Sequence, residues 1–333
     1  MDKSCCMSCA GLSWWGVYKI CCAVAFNYKA VKPRKKSMKE KLPLPSLYGD
    51  MKRRGITFKN HSKNEVLEIL ETKNYYYKLA AFRKNFEKED GKYVNLDFSY
   101  LVDLAIIDMH IRNYLLEISL SVEHFIKTEL SRLLNANQKE DGYSIVQEFK
   151  EKKTYSYNKT MRYFKKTRYQ KDMYIKRKEE MSIWAFMEHT DYSSLLDLVD
   201  VYYLKNKSKT LKKANQLGGS TRNIRNACAH NSVFLIEWFN EMAILENNPA
   251  GIKSLADEIG IEKEKYQYAK VNDLIALFSL LKSYCSKEVK KHYYQSGKEL
   301  IERCLRKEES YINSPRLEEK FIILIQLVDF LEE

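Results

Sequence analysis

Residues 97–136 read DFSYLVDLAIIDMHIRNYLLEISLSVEHFIKTELSRLLNA, the longest periodic run in the chain. Leu101, Leu104, Asp108, Ile111, Leu115, Ile118, Val122 and Phe125 follow in steps of three and four, the spacing of a helix face packed in a bundle. Asn95-Leu96-Asp97 opens the run and Asn135–Asn137 ends it, so one long helix is predicted, its stripe interrupted only by Asp108. The composition agrees: 11 Gly and 5 Pro in 333 residues leave long unbroken stretches rich in Lys, Glu, Leu and Tyr. The fold class is therefore all-α, which sets aside a β-sandwich or a doubly wound nucleotide fold, and 45% apolar side chains exclude disorder throughout.

Upstream, Leu42-Pro43-Leu44-Pro45 reads as an extended lead-in, and Lys63–Glu71 and Tyr75–Phe86 as two short helices with cap residues at Asn60-His61-Ser62. Downstream, Lys139-Glu140-Asp141-Gly142 reads as a surface turn, Ser144–Phe149 as a short segment, and Ser182–Thr190, Tyr192–Tyr203 and Ser208–Gln216 as helices. Gly218-Gly219-Ser220-Thr221 is the sharpest break, with a Ser or Thr to cap the helix after it. In that helix Ile224, Cys228, Asn231, Leu235, Trp238, Met242 and Leu245 repeat the core-facing spacing. After Asn247-Asn248-Pro249, the segments Lys253–Ile259, Val271–Lys290, Tyr294–Glu308 and Arg316–Leu331 read as amphipathic helices of a C-terminal extension. The organisation expected is an extension at 1–37, an N-terminal helical region at 38–95, a bundle at 96–246 with a basic insert at 150–180, and a helical extension at 247–333.

The net charge of +13 is unevenly placed. Residues 150–178 hold twelve basic and two acidic side chains and residues 29–54 hold ten and two, which leaves the rest of the chain mildly acidic. Segregation of this kind is the footprint of a polyanion ligand. Tyr155, Tyr157, Tyr163, Phe164, Tyr169 and Tyr174 interleave with the cations of the second segment, a mixture suited to single-stranded nucleic acid, where bases stack on rings while phosphates meet charges. The competing reading is a solvated helix whose tyrosines cover the core. Lys159, Arg162, Tyr163, Lys165, Lys166, Arg168, Lys171, Arg53 and Arg54 are the candidate RNA contacts.

Five of eight cysteines (Cys5, Cys6, Cys9, Cys21, Cys22) crowd the first 22 residues, which is no disulfide framework for a chain this size and points to a reducing, cytoplasmic setting. Cys6-x2-Cys9 with Cys21-Cys22 lacks the two spaced pairs of a structural zinc site, so no metal or other cofactor is expected. Ser4–Tyr28 carries only Lys19 as charge, yet its Ser, Gly, Tyr and Asn content makes a weak membrane anchor. Residues 1–37 read instead as a flexible extension or a misassigned start, and no stable membrane association is expected.

The chemistry-bearing pattern is Arg225-Asn226-Ala227-Cys228-Ala229-His230-Asn231. At about 100° per residue, Arg225 and His230 fall on opposite shoulders of the apolar stripe, where packing requires neither. This pattern resembles the motif of the HEPN ribonucleases: Arg, a polar residue, three residues, then His. More of the chain, over about residues 43–245, resembles the AbiD/AbiF abortive-infection branch of bacterial anti-phage defence. The resemblance is carried by Pro43-Leu44-Pro45, Arg54-Gly55-Ile56, Asn74-Tyr75-Tyr76-Tyr77-Lys78-Leu79, by Asp108, Arg112 and Glu123, and by Trp184 with Glu188. Two departures are the Ser232–Trp238 stretch, where members often carry an Arg-Leu-Trp-Asn-Arg-like sequence, and a basic insert longer than usual.

The resemblance implies an HEPN-like helical bundle, a homodimer whose two motifs form one composite cleft, and metal-independent RNA cleavage by 2′-OH attack, with Arg225, His230 and Asn226 catalytic. The residue chemistry is consistent with it: an imidazole moves protons near neutrality, and a guanidinium binds phosphate oxygens and stabilises developing charge. Asn231, Glu123, Arg112 and Asp108 are the supporting or orienting candidates. Asn231 also reads as a core amide, and Asp108 with Arg112 as an ion pair. A Cys228–His230 nucleophile pair is set aside, because neighbours at i and i+2 diverge on a helix. The expected function is an endoribonuclease of abortive-infection or toxin-antitoxin type, with RNA as substrate and as a candidate regulator. The rival reading is a non-catalytic protein that holds a structured non-coding RNA.

Overall fold

The computed structural model describes residues 41–307 and 314–332. Its first helix, α1 (Leu44–Arg53), begins where the sequence reads as extended. Pro43 is the N-cap and Pro45 lies in the first turn, where a missing N–H costs nothing, so this proline pair starts a helix rather than delaying one. Ser62 and Glu65 form a capping box at the head of α2 (Lys63–Glu68), which runs into a π-turn over Ile69–Lys73. Helix α3 (Tyr76–Ala81) is shorter than predicted and tightens into a 3₁₀ turn at Phe82–Asn85. A hairpin that the helical reading passed over follows: β1 (Lys88–Glu89) pairs with β2 (Lys92–Tyr93) across Asp90 and Gly91, both at positive φ.

Helix α4 (Phe98–Ala136) is the predicted long helix. Asp97 caps it, accepting from the Ser99 amide with one oxygen and from the Thr57 hydroxyl and Lys59 amide with the other. The stripe from Leu101 to Val122 is buried as read, but Phe125 is only half-buried and the core face moves on to Ile126, Leu130 and Leu134. A strict three-four alternation runs ahead of the true helical period, and over this length the difference reaches one residue.

The basic segment folds as α5 (Ser144–Lys152), α6 (Thr154–Lys166) and α7 (Lys171–Arg177), followed by α8 (Ile183–His189) and α9 (Tyr192–Asn206). Helix α10 (Lys212–Ala229) overturns two expectations. It runs straight through Gly218-Gly219 without a break, because Gly218 serves close packing: a Cβ there would collide with Leu196 Cδ2 on α9. It also ends at Ala229, so the predicted helical stripe from Asn231 to Leu245 does not form. Leu235 and Trp238 are buried from a loop instead, and Met242 is 93% exposed.

The chain closes with α11 (Ile252–Ile259), α12 (Lys263–Tyr266), α13 (Ala269–Tyr284), α14 (Lys287–Leu305) and α15 (Pro315–Asp329). The predicted helix Val271–Lys290 is two, parted at Cys285 and Ser286, where the Ser286 hydroxyl accepts from the Val289 amide and caps α14. Residues 247–333, read as an extension, contain the most enclosed helix among the described residues: every residue of α13 from Val271 to Leu281 is buried, against α10 and α4. A helix apolar on most sides belongs inside, and Val271–Leu281 carries only Asn272, Asp273 and Ser279 as polar residues. Helix α14 packs on α4 and α15, where the Arg303 guanidinium meets Asp103 at 2.6 Å and the Tyr114 hydroxyl donates to the Tyr293 carbonyl. From Pro43 onward the described residues form one compact unit. Residues 1–37, the cysteine cluster of the first 22 residues and positions 29–40 of the first basic segment lie outside the described residues. Among the described residues no helix is long and apolar enough to cross a membrane.

Two measurements test the central place of α13. Leu277→Ala empties a fully buried site and is expected to cost about 2–5 kcal/mol in urea unfolding; a change below about 0.5 kcal/mol contradicts it. Burial raises the Asp273 carboxyl from 3.8 to about 6, despite hydrogen bonds from Ser220 and Asn223. The fold therefore binds that proton more tightly than the unfolded chain, and its contribution to stability is lost as pH rises from about 4 to 6. Asp273→Asn is expected to gain stability over the parent across that window, by on the order of 1–2 kcal/mol. A pH-independent difference contradicts this assignment.

Candidate functional site

The motif occupies the last turn of α10, and the way that helix stops determines its shape. His230 is the C-cap, and Asn231 follows at φ +54°, in the left-handed region. The Asn231 amide donates to the Cys228 carbonyl and the Ser232 amide to the Ala227 carbonyl, the two reverse bonds of a Schellman ending. Asparagine is the side chain that best substitutes for glycine there. Asn231 is therefore no core amide on a helical stripe. It is an exposed end-cap whose side-chain oxygen accepts from the Arg112 guanidinium at 2.5 Å and whose carbonyl accepts from Lys78 Nζ at 3.3 Å.

Beyond the cap, a buried carboxylate and a half-buried ammonium hold the loop. Asp108 on α4 is fully buried, and its Oδ1 accepts from the backbone amides of Phe234 at 2.6 Å and Leu235 at 2.7 Å. Its Oδ2 accepts from Arg112 Nε at 2.8 Å. On the other side Lys270, at the head of α13, donates to the carbonyls of Phe234 at 3.1 Å and Ile236 at 2.8 Å. Burial pushes the Lys270 ammonium down to about 8, against the pull of Glu237 and Asp108. Trp238 Nε1 closes the loop by donating to the Phe234 carbonyl, and Lys84 pairs with Glu237 at its edge. The sequence places Asp108 and Arg112 as an ion pair, and they are one; their joint grip on the loop after the motif was not visible. Lys270 was missed altogether, its one signal being a cation at the head of a largely apolar run.

The motif side chains contrast with these supports. His230 is exposed, and no hydrogen bond holds its imidazole among the described residues. Arg225 is half-buried with its Nε unpartnered, and among the described residues its side chain makes one hydrogen bond, Nη1 to Asn226 Oδ1 at 3.5 Å. No carboxylate neutralises it among the described residues. Asn226 is exposed beside it. Burial pushes the Cys228 thiol up to about 12, which keeps it protonated and removes it as a nucleophile. Glu123 stands well along α4 from Arg112, pairs with Lys127 at 3.2 Å, and has one buried oxygen without a partner. The structure thus joins Asp108, Arg112 and Asn231 in one network, with the motif on its outer side and Glu123 outside it. No cluster of three or more metal-ligating side chains occurs among the described residues.

The basic segment divides as its competing readings do. Tyr155, Tyr163 and Tyr169 are exposed, at 54% or more, while Phe164 is fully buried and Tyr157 stacks on Phe186 in the core. Lys159 is committed to Asp191, and Arg53 and Arg54 share Asp50. Arg162, Lys165, Lys166, Arg168 and Lys171 are exposed with no carboxylate partner among the described residues. The free cations and free rings therefore gather at the end of α6 and the start of α7.

Asn231 offers a test of the helix end. Asn231→Gly keeps the left-handed cap and deletes only the Arg112 contact, whereas Asn231→Ala adds backbone strain. The alanine variant is expected to be less stable than the glycine variant by about 1 kcal/mol in urea unfolding; equal stabilities contradict the cap.

No curated protein and no solved structure matches this chain. The Abi-like protein family matches over residues 68–235, from the end of α2 through α4 and the basic helices to the loop just past the motif. The chain belongs to the Abi-like protein family, an abortive-infection family.

Proposed function

We propose that this protein is a metal-independent endoribonuclease of an abortive-infection or toxin-antitoxin phage-defence system. The observation that carries the reading is the isolation of Arg225 and His230 at the end of α10. Among the described residues neither group is bonded to a counter-charge, while the buried Asp108 and Arg112 beside them are paired with each other. Family membership supports the defence role.

In the proposed reaction the 2′-oxygen attacks the adjacent phosphorus, forming a 2′,3′-cyclic phosphate as the bond to the 5′-oxygen breaks. His230 accepts the 2′-hydroxyl proton, or in its protonated form returns one to the leaving 5′-oxygen. Arg225 holds the non-bridging oxygens and stabilises the charge that builds on them. Asn226 orients the phosphate. One helix separates Arg225 and His230 by about 7 Å along its axis and on different shoulders, so two copies of the motif facing each other in a homodimer give a complete set. RNA approaches along the free cations from Arg162 to Lys171, with Tyr163 and Tyr169 as stacking surfaces.

His230→Ala and Arg225→Ala are each expected to lower cleavage of labelled RNA by at least about 100-fold in excess chelator, with unchanged thermal unfolding. Retained cleavage by either purified variant overturns the assignment of roles. The unpaired cations at Arg162–Lys171 also favour a second reading, a protein that holds a structured non-coding RNA and cuts nothing. Tight RNA binding by the parent, equal in His230→Ala and without cleavage in either, is its signature.

A further inference from the structure

A second site lies apart from the motif, where the loop after α10 meets the β-hairpin and the head of α15. The cavity there measures about 510 Å³. Five cations, Arg83, Lys84, Lys88, Arg316 and Lys320, face two carboxylates, Glu237 and Glu241. Lys84 and Glu237 neutralise each other, which leaves the wall strongly positive.

The remaining cations are poorly satisfied. Arg83 donates to the Ala80 carbonyl and the Tyr76 hydroxyl, neither of which carries charge. Lys88 lies 4.7 Å over the Tyr93 ring. Arg316 is exposed and has no carboxylate partner among the described residues. Lys320 is 3% exposed, and among the described residues its ammonium donates only to the Asn85 side-chain oxygen. Burial pushes it down to about 7, as for a cation whose counter-charge is missing. The Asn85 amide nitrogen is itself buried without a partner. A fold that sinks a lysine beside three unneutralised cations is organised for an anion that arrives from outside.

The cavity is far larger than one phosphate, and it also presents the rings of Tyr93 and Phe239. Volume, cations and rings in one wall match one ligand chemistry. We propose that this cavity binds a nucleotide, its phosphates on Arg316, Lys320 and Arg83 and its base against the Tyr93 and Phe239 side. The guanidiniums hold phosphate oxygens bidentately, and ring stacking contributes about 1–3 kcal/mol per base. The nucleotide is either free or a residue of an RNA chain; the binding chemistry is the same, and the site is independent of whether Arg225 and His230 cleave RNA.

Titration calorimetry on the full chain tests this with ATP, tripolyphosphate and a 5′-phosphorylated RNA tetramer, on the parent, Arg316→Gln and Lys320→Met. Arg316 is exposed, so its variant is expected to unfold as the parent does. ATP or the tetramer is expected to bind the parent in the micromolar range and Arg316→Gln at least tenfold more weakly, with Lys320→Met lowering affinity in the same direction. Tighter binding of ATP identifies a free nucleotide, and tighter binding of the tetramer an RNA residue. No binding of either at millimolar concentration, equal binding by Arg316→Gln, or tripolyphosphate bound as tightly as ATP and the tetramer overturns the proposal.

Discussion

A single carboxylate, that of Asp108, sets the geometry on which the rest of the site depends. Burying an ion costs several kcal/mol, and Asp108 offsets that cost with three donors: the Arg112 guanidinium and the two successive amides of Phe234 and Leu235. Those amides belong to a loop, so the carboxylate draws backbone that the apolar spacing would have continued as helix. Lys270 does the same to the carbonyls from the opposite side. Held between them, the chain leaves α10 at Ala229, turns through left-handed Asn231, and presents His230 at a helix end rather than on a helix side.

This arrangement divides the labour among neighbouring polar residues. Asp108, Arg112, Asn231 and Lys270 spend their hydrogen bonds on one another and on backbone, which fixes the loop. Arg225, Asn226 and His230 spend almost none, which leaves them free to meet a ligand. Fully satisfied buried networks confer rigidity, and a site that must act on a phosphate without reorganising needs such a base. The family match ends at Leu235, immediately beyond the turn this network controls.

Much of this was legible in the sequence, and what was not has definite physical causes. Period located α4 and its buried stripe as far as Val122, and Asn95-Leu96-Asp97 marked its start, because a long helix with one apolar face leaves little choice. The Asp108–Arg112 pair was legible from i, i+4 spacing, and the motif from residue identity. The end of α10 was not: the apolar spacing continues through Leu235 and Trp238, and contacts distant in sequence, from Asp108 to the Phe234 and Leu235 amides and from Lys270 to the carbonyls, hold that stretch as loop. Gly218 misled in the opposite sense, since a glycine admits both a turn and a close helix approach, and Leu196 decides which. The inward place of α13 was concealed by Lys270 and Asp273, two charged residues that gave a buried helix an amphipathic look.

The most direct test of the account is the chemistry of the RNA ends released by the purified protein in excess chelator. Attack by the 2′-oxygen predicts products that all end in 2′,3′-cyclic phosphate, paired with 5′-hydroxyls, as read by mass spectrometry. Products with 3′-hydroxyl and 5′-phosphate ends, or cleavage that appears only when a divalent metal is restored, would contradict it.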